Sequence, residues 1–437
     1  MKAVIGLKVL WVITLVTAFL GTLLSFSAIP NLFAYRILLV THLVLFIIAL
    51  TRKGQEMKYD FHVNEYFIFL ALWFSWALVS FFWAPGKLHA FKNIGFLFSG
   101  LSLIFFNVYY FRQEKGMRLL WQAILLVLIF LILLGLWELV TGLHIYGGFP
   151  YYYLKNHNMY LMGTFGHPNN FATYLSMYLP LLYTYSKYVK NPVIKIGSVF
   201  FLLLGVHLII NSTSRANMLA ISIGFIVALI FYFSNGWGKL LRGVIIGTAG
   251  VVLLAFCLSV IPAFSGFWEK EKTEFITNVG SVYHHWSDDG SINVRKKLIV
   301  FGLNLVKESH GLGVGAGNTS YLMQHNIEKT GGNVKLHNWW VEVLVDYGVV
   351  IWMVYLIFFL KLSWDLLSIF RTSSSKLMRM LAEGVLISLI TFSVGVVSNG
   401  SMVSSRHMWI LYGVALCVIN NFRYGAKLAP ERRSIIK

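Results

Sequence analysis

The run Leu119-Leu120-Trp121-Gln122-Ala123-Ile124-Leu125-Leu126-Val127-Leu128-Ile129-Phe130-Leu131-Ile132-Leu133-Leu134-Gly135-Leu136-Trp137 carries no charge before Glu138. A helix that crosses the hydrocarbon core of a bilayer needs about 20 such residues. Lipid offers the backbone no hydrogen-bond partner, so a run of this kind must satisfy itself as a helix. It extends over 119–141, and eleven others share its character, near 9–27, 32–50, 64–84, 93–110, 170–187, 193–211, 216–234, 243–262, 338–360, 378–398 and 408–422. Composition agrees. Of 437 residues 57% are hydrophobic, 16% aromatic and 12% charged, with a mean hydropathy of +0.70. Average soluble chains carry about 25% charged residues, so half the charge of a soluble surface is missing. The sequence predicts an all-α polytopic membrane protein of about 12 transmembrane helices with one long extracytoplasmic loop. It excludes a disordered chain, a coiled coil and a secreted disulfide scaffold. Cys257 and Cys417 lie in separate apolar runs and form no metal clip.

The first run follows Lys2 and Lys8 but exceeds the usual length of a secretory core and lacks a cleavage pattern, so it reads as an uncleaved span. The formal charge of +19 would suggest nucleic acid in a soluble protein. Here its distribution reads instead as topology, and no nucleic-acid partner is expected. Twenty-two Lys and Arg fall on the side that holds both termini, against six in the short loops of the other side. The positive-inside rule then predicts cytoplasmic termini in the cytoplasmic membrane. The chain divides into 1–160, spans one to five with an outer loop; 161–262, spans six to nine; 263–336, an extracytoplasmic loop; and 337–437, spans ten to twelve with a cytoplasmic tail.

Polar and ionisable residues at membrane boundaries are functional candidates. Arg215 follows Asn211-Ser212-Thr213-Ser214 where the eighth span begins. A hydroxyl capping that helix would leave free N–H groups and a positive dipole beside a guanidinium, a setting that suits a phosphate or diphosphate; the alternative is an arginine that reaches to headgroups. Ile292 to Val306 alternates Val294, Leu298, Ile299, Phe301, Leu303 and Leu305 with polar residues, as an amphipathic helix at the interface would. Arg295 begins it, either as an anion ligand or as part of a solvated face with Lys296 and Lys297.

Gly311-Leu312-Gly313-Val314-Gly315-Ala316-Gly317-Asn318 allows close approach of a ligand to backbone but lacks the Lys-Ser/Thr ending of a nucleotide loop. His337-Asn338 opens the tenth span. Its imidazole is either a general base for a hydroxyl or a cap. Glu342 and Asp346, one turn apart, share a face that would neutralise an arginine or orient the histidine. Asp288-Asp289-Gly290 reads as a turn, and no metal is expected. Gly163-Thr164-Phe165-Gly166-His167-Pro168-Asn169-Asn170 and Arg406-His407 fall on the same outer side under this topology.

Three of these segments together resemble the O-antigen ligase and Wzy-type polysaccharide polymerase superfamily. His337-Asn338, nine residues and Gly348 match its histidine–polar–glycine signature; Ser214-Arg215, and Arg295 ahead of the glycine-rich loop, resemble its other blocks. The likeness runs from about 160 to 360. One position departs: Ile351 stands where the signature closes with Gly, Thr or Tyr. The resemblance implies a metal-independent, inverting glycosyl transfer without cofactor at the outer face. The donor would be an undecaprenyl-diphosphate-linked glycan, and membrane lipids and other polysaccharide assembly proteins would be partners. It implies Arg215 and Arg295 on the donor diphosphate and His337 as base toward the glycan acceptor. Asn338, Glu342, His167, Asn169 and Arg406 complete the candidate set. A polymerase of wall or capsular glycan such as teichuronic acid is the leading expectation. The alternatives are a ligase onto a lipid A-core acceptor or, in another class, an exporter.

Overall fold

The computed structural model describes residues 2–26, 32–53, 61–146, 149–152, 154–155, 158–159, 161–233 and 290–435. The expected span 243–262, Cys257, and the part of the outer loop through Asp288-Asp289 lie outside the described residues. The described helices are α1 (Lys2–Leu20), α2 (Ala34–Lys53), α3 (Asn64–Ser80), α4 (Lys87–Tyr110), α5 (Glu114–Thr141), α6 (Pro168–Tyr188), α7 (Pro192–Asn211), α8 (Arg215–Phe233), α9 (Gly290–Glu308), α10 (Asn318–His325), α11 (Trp339–Thr372), α12 (Lys376–Gly395) and α13 (Arg406–Ile435). Between α5 and α6 an antiparallel hairpin pairs β1 (Leu143–Tyr146) with β2 (Phe149–Tyr152), Leu143 opposite Tyr152, and the two-residue strands β3 (Leu154–Lys155) and β4 (Asn158–Met159) follow.

Among the described residues eight helices are long and apolar enough to cross a membrane: α1, α2, α4, α5, α7, α8, α11 and α12. The chain is an all-α polytopic membrane protein, but this is not a count of twelve. The run at 64–84 yields α3, which stops at Ser80 because the chain turns. There Lys87 donates to the carbonyls of Phe81 and Phe82 at 2.7 and 2.8 Å, closing the helix end with a cation. The runs at 170–187 and 408–422 do form helices, α6 and α13, outside those eight. Every residue of α6 from Phe171 to Leu182 is buried. Its hydroxyls and amides therefore face protein, and a helix walled in on all sides needs no lipid-facing apolar surface.

A second correction concerns the tenth span. The α11 helix is broken at Gly348 (φ 83°, ψ 177°). The 349–372 limb, at 1.5 Å per residue, is about 36 Å long and long enough to cross alone. Trp339–Tyr347 is thus a separate half-helix. It is anchored in an aromatic core, where Trp339, fully buried, donates from Nε1 to Tyr355 Oη at 2.8 Å, and Trp339, Tyr347 and Tyr355 all meet Trp73.

The break is made by the glycine-rich loop. Val314 N donates to Val345 O at 2.8 Å, Gly315 N to Asp346 O at 3.0 Å, and Val349 N to Gly311 O at 2.9 Å. A Cβ on Gly313 would lie 2.5 Å from Gly348 N, and one on Gly348 would lie 2.5 Å from Leu312 O. Both positions also have positive φ, so glycine is required on both counts. The close approach expected of this loop is real, but its partner is the helix rather than a ligand.

The amphipathic α9 likewise spends its stripe on protein. Leu298 and Leu305 are buried with Val314, Met323, Leu336 and Val345 in a small second core. At the far end of α11, Arg423 donates to Glu65 at 2.6 Å and to Asp365 at 2.7 Å, and Tyr66 donates to Asp365 at 2.6 Å, joining α3, α11 and α13.

Candidate active site

His337 sits at the junction of the outer segment and the half-helix, with φ 53°. That left-handed conformation is uncommon outside glycine and marks a position the surrounding structure dictates. The next two residues supply the force. Asn338 caps α11, its side chain accepting from Val341 N at 3.3 Å, a contact worth about 1 kcal/mol. Trp339 is locked into the aromatic core. Between them they fix where the imidazole emerges.

The ring is half-buried and donates to the Ser398 backbone carbonyl. Burial lowers its proton affinity below the usual 6.5; the Ser398 bond opposes this, and the nearby Arg295 and Lys335 charges add to the lowering. His337 is therefore neutral at pH 7 and free to accept a proton. Arg295, half-buried on α9, belongs to the same cluster as the imidazole.

Arg215 joins this neighbourhood through a polar network. Asn217, in the first turn of α8, donates to Ser214 Oγ at 2.9 Å and to Ser398 Oγ at 3.4 Å, and accepts from Thr173 and Ser176 at 3.1 and 3.0 Å. Ser398 thus holds His337 by its carbonyl and the Ser214-Arg215 corner by its hydroxyl. The corner is itself strained, with Thr213 at φ 55°. Arg215 is exposed at the helix start. Asn169 donates to the same Ser398 carbonyl at 3.2 Å.

The remaining candidates divide. Glu342 is buried, interacting with Ser401, and feels both Lys335 and Asp346. Asp346 is buried. It accepts from Thr319 N at 2.8 Å and Thr319 Oγ1 at 2.6 Å, anchoring the start of α10 and the glycine-rich loop. His167 caps α6, its Nδ1 accepting from Asn169 N at 3.2 Å. Arg406 belongs to another cluster, over the rings of Tyr35 and Phe33 at 4.6 and 5.4 Å. Among the described residues no three His, Cys, Asp or Glu side chains converge as a metal site would need.

Sequence reasoning passed over Ser398 and Asn217. The signal was available: Ser398-Asn399-Gly400-Ser401 is a polar break between two apolar runs, on the side assigned to the other candidates. Asn217 was hidden because one amide early in a span reads as tolerated polarity.

Residues 200–356, which hold Arg215, Arg295 and His337, match the model of the O-antigen ligase family. The chain is 27% identical over 405 residues, 92% of its length and 81% of the relative's, to the teichuronic acid biosynthesis protein TuaE of Bacillus subtilis strain 168. These matches support the O-antigen ligase and Wzy-type superfamily.

Proposed function

We propose that this chain, whose matches support the O-antigen ligase and Wzy-type superfamily, is a glycosyltransferase of the cytoplasmic membrane. In this reading it joins undecaprenyl-diphosphate-linked repeat units at the outer face, inverting and without a metal. The observation that carries the reading is the Ser398 hub. One residue ties a strained histidine to the arginine-bearing corner of α8, and the ring feels the charge of Arg295.

The chemistry follows from these groups. The acceptor hydroxyl approaches the anomeric carbon from the face opposite the diphosphate. His337 takes its proton as the new C–O bond forms and the bond to the diphosphate breaks. Negative charge grows on the leaving diphosphate, where Arg215 and Arg295 stabilise it. Asn338, Asn169 and Ser398 position these groups. A lipid-linked donor suits a site at the end of a helical bundle, where the prenyl chain stays in the bilayer.

Ile351 favours polymerase over ligase. It departs from the ligase-like ending of the signature and is buried in α11 just past the break. The test is direct. Purified protein in liposomes, supplied with lipid-linked repeat units alone, is expected to make a ladder of chain lengths. Transfer only when a lipid A-core acceptor is added would establish the ligase instead, and no transfer under either condition would reject the reading.

A further inference from the structure

We infer that Lys335 is the cation that takes up the negative charge developing on the departing diphosphate, an inference that rests on the transferase reading above. The side chain is exposed, but its path is set by a glycine. The stem lies across Gly400 so closely that a Cβ there would stand 2.6 Å from Lys335 Cδ and 3.5 Å from its Nζ. Gly400 comes two residues after Ser398, whose carbonyl holds the imidazole of His337. The backbone is fixed from the other side. Leu336 is buried in the same small core as Leu298. Leu298 comes three residues after Arg295, so the two share a face of α9. The short segment Lys335-Leu336-His337 is thus docked between the Ser398 loop and the turn that carries Arg295. The charges of Lys335 and Arg295 both act on the His337 ring.

Charge balance gives the third cation its task. In the donor the diphosphate links lipid to sugar, and each phosphate carries one negative charge. When the acceptor oxygen bonds to the anomeric carbon, the bond from that carbon to the diphosphate oxygen breaks, and its electron pair stays on that oxygen. The acceptor's proton goes to His337. The departing lipid diphosphate therefore carries one negative charge more than it did in the donor, on a phosphate whose last ionisation lies at about pH 6. Arg215 and Arg295 match the charge already present in the bound donor. The increment appears only as the bond breaks, and a compact ammonium on a flexible stem suits it. A group that answers charge formed in the transition state raises the rate rather than the affinity.

The test separates rate from affinity. In the liposome assay Lys335→Met, which keeps the apolar stem, is expected to lower kcat by about 10- to 100-fold. The donor KM and the melting temperature should stay unchanged, and Lys335→Arg should keep most of the rate. Gly400 has no positive φ, and the atoms nearest its missing Cβ all belong to the lysine tail. Gly400→Ala should therefore lower kcat by displacing that tail, and add nothing in the Lys335→Met background. Binding gives a second readout that needs no transfer. In phosphatidylcholine nanodiscs Lys335→Met should weaken farnesyl diphosphate, which has the extra ionisation, by about tenfold. Its methyl diester, which lacks that ionisation, should bind as before. Wild-type kcat in Lys335→Met overturns the inference while the transferase reading stands. So does equal weakening of both ligands, or a fall in melting temperature in place of a fall in kcat, the mark of a lysine that only offsets the buried Glu342. Discrimination between the two ligands without any transfer would reject the transferase reading and leave Lys335 standing as a diphosphate ligand.

Discussion

At one end of the bundle Arg423 is gripped by two carboxylates, 2.6 Å from Glu65 and 2.7 Å from Asp365, with Lys361 alongside. At the other end Arg406 lies over aromatic rings, and the carboxylates nearest His337 are already engaged. Asp346 is held by Thr319 and Glu342 by Ser401. Both ends hold cations at a helix boundary, so boundary location alone does not mark a site. What differs is the partner. The cation that staples helices is met by carboxylates of the same protein, whereas at the His337 end Arg295 and Lys335 share their field with an imidazole.

That contrast can be broken or sharpened by substitution. The largest effect is expected for His337→Ala: a fall of about 10²–10⁴-fold in transfer rate, the usual contribution of a general base, with the melting temperature unchanged. The pH profile adds a signature. The neutral ring is the active form and its pKa lies below 6.5, so activity should hold as pH falls to 6.5 and be lost only below it. An acid limb centred above 6.5 would assign the base to another group. Next comes Gly348→Ala, which places a Cβ against Leu312 in a conformation only glycine adopts easily. It should cost about 3 kcal/mol of stability, read as a lowered melting temperature in detergent. If stability is unchanged, the loop-to-helix seam is not as tight as drawn.

Arg215→Lys keeps the charge but loses the bidentate fork, so transfer should drop by more than tenfold, about 2 kcal/mol, with protein level unaffected. The smallest effect is expected for Arg423→Ala. Its side chain and that of Glu65 are about a third exposed, and water screens the pair, so about 1 kcal/mol or less of stability is lost and transfer persists. Loss of transfer without loss of stability in Arg423→Ala would erase the distinction between the two ends.

The sequence showed the helices better than their roles. The uncharged run at 119–141 is legible because its whole length is apolar, and α5 forms over it. Twelve equal spans could not be separated by hydropathy, because α6 is enclosed by protein and α11 is two helices in one run. The break at Gly348 depends on a loop more than thirty residues earlier in sequence, and no local pattern announces such a contact. For the site, His337, Arg295 and Arg215 stood out as ionisable residues at boundaries. Their link through Ser398 and Asn217 did not, because hydroxyls and amides carry no charge pattern and their partners lie 181 positions apart.

The interruption at Gly348 has a mechanical consequence. A continuous rod passing through the bilayer would transmit every change of tilt to its tip. Membranes differ in thickness, and spanning helices lean to match them. Here the break is clamped by the glycine-rich loop and the short limb is fastened to Trp73 of α3 and to Tyr355 just past the break, so a lean of the far end of the long limb is expected to leave the aim of the imidazole unchanged in thin and thick bilayers.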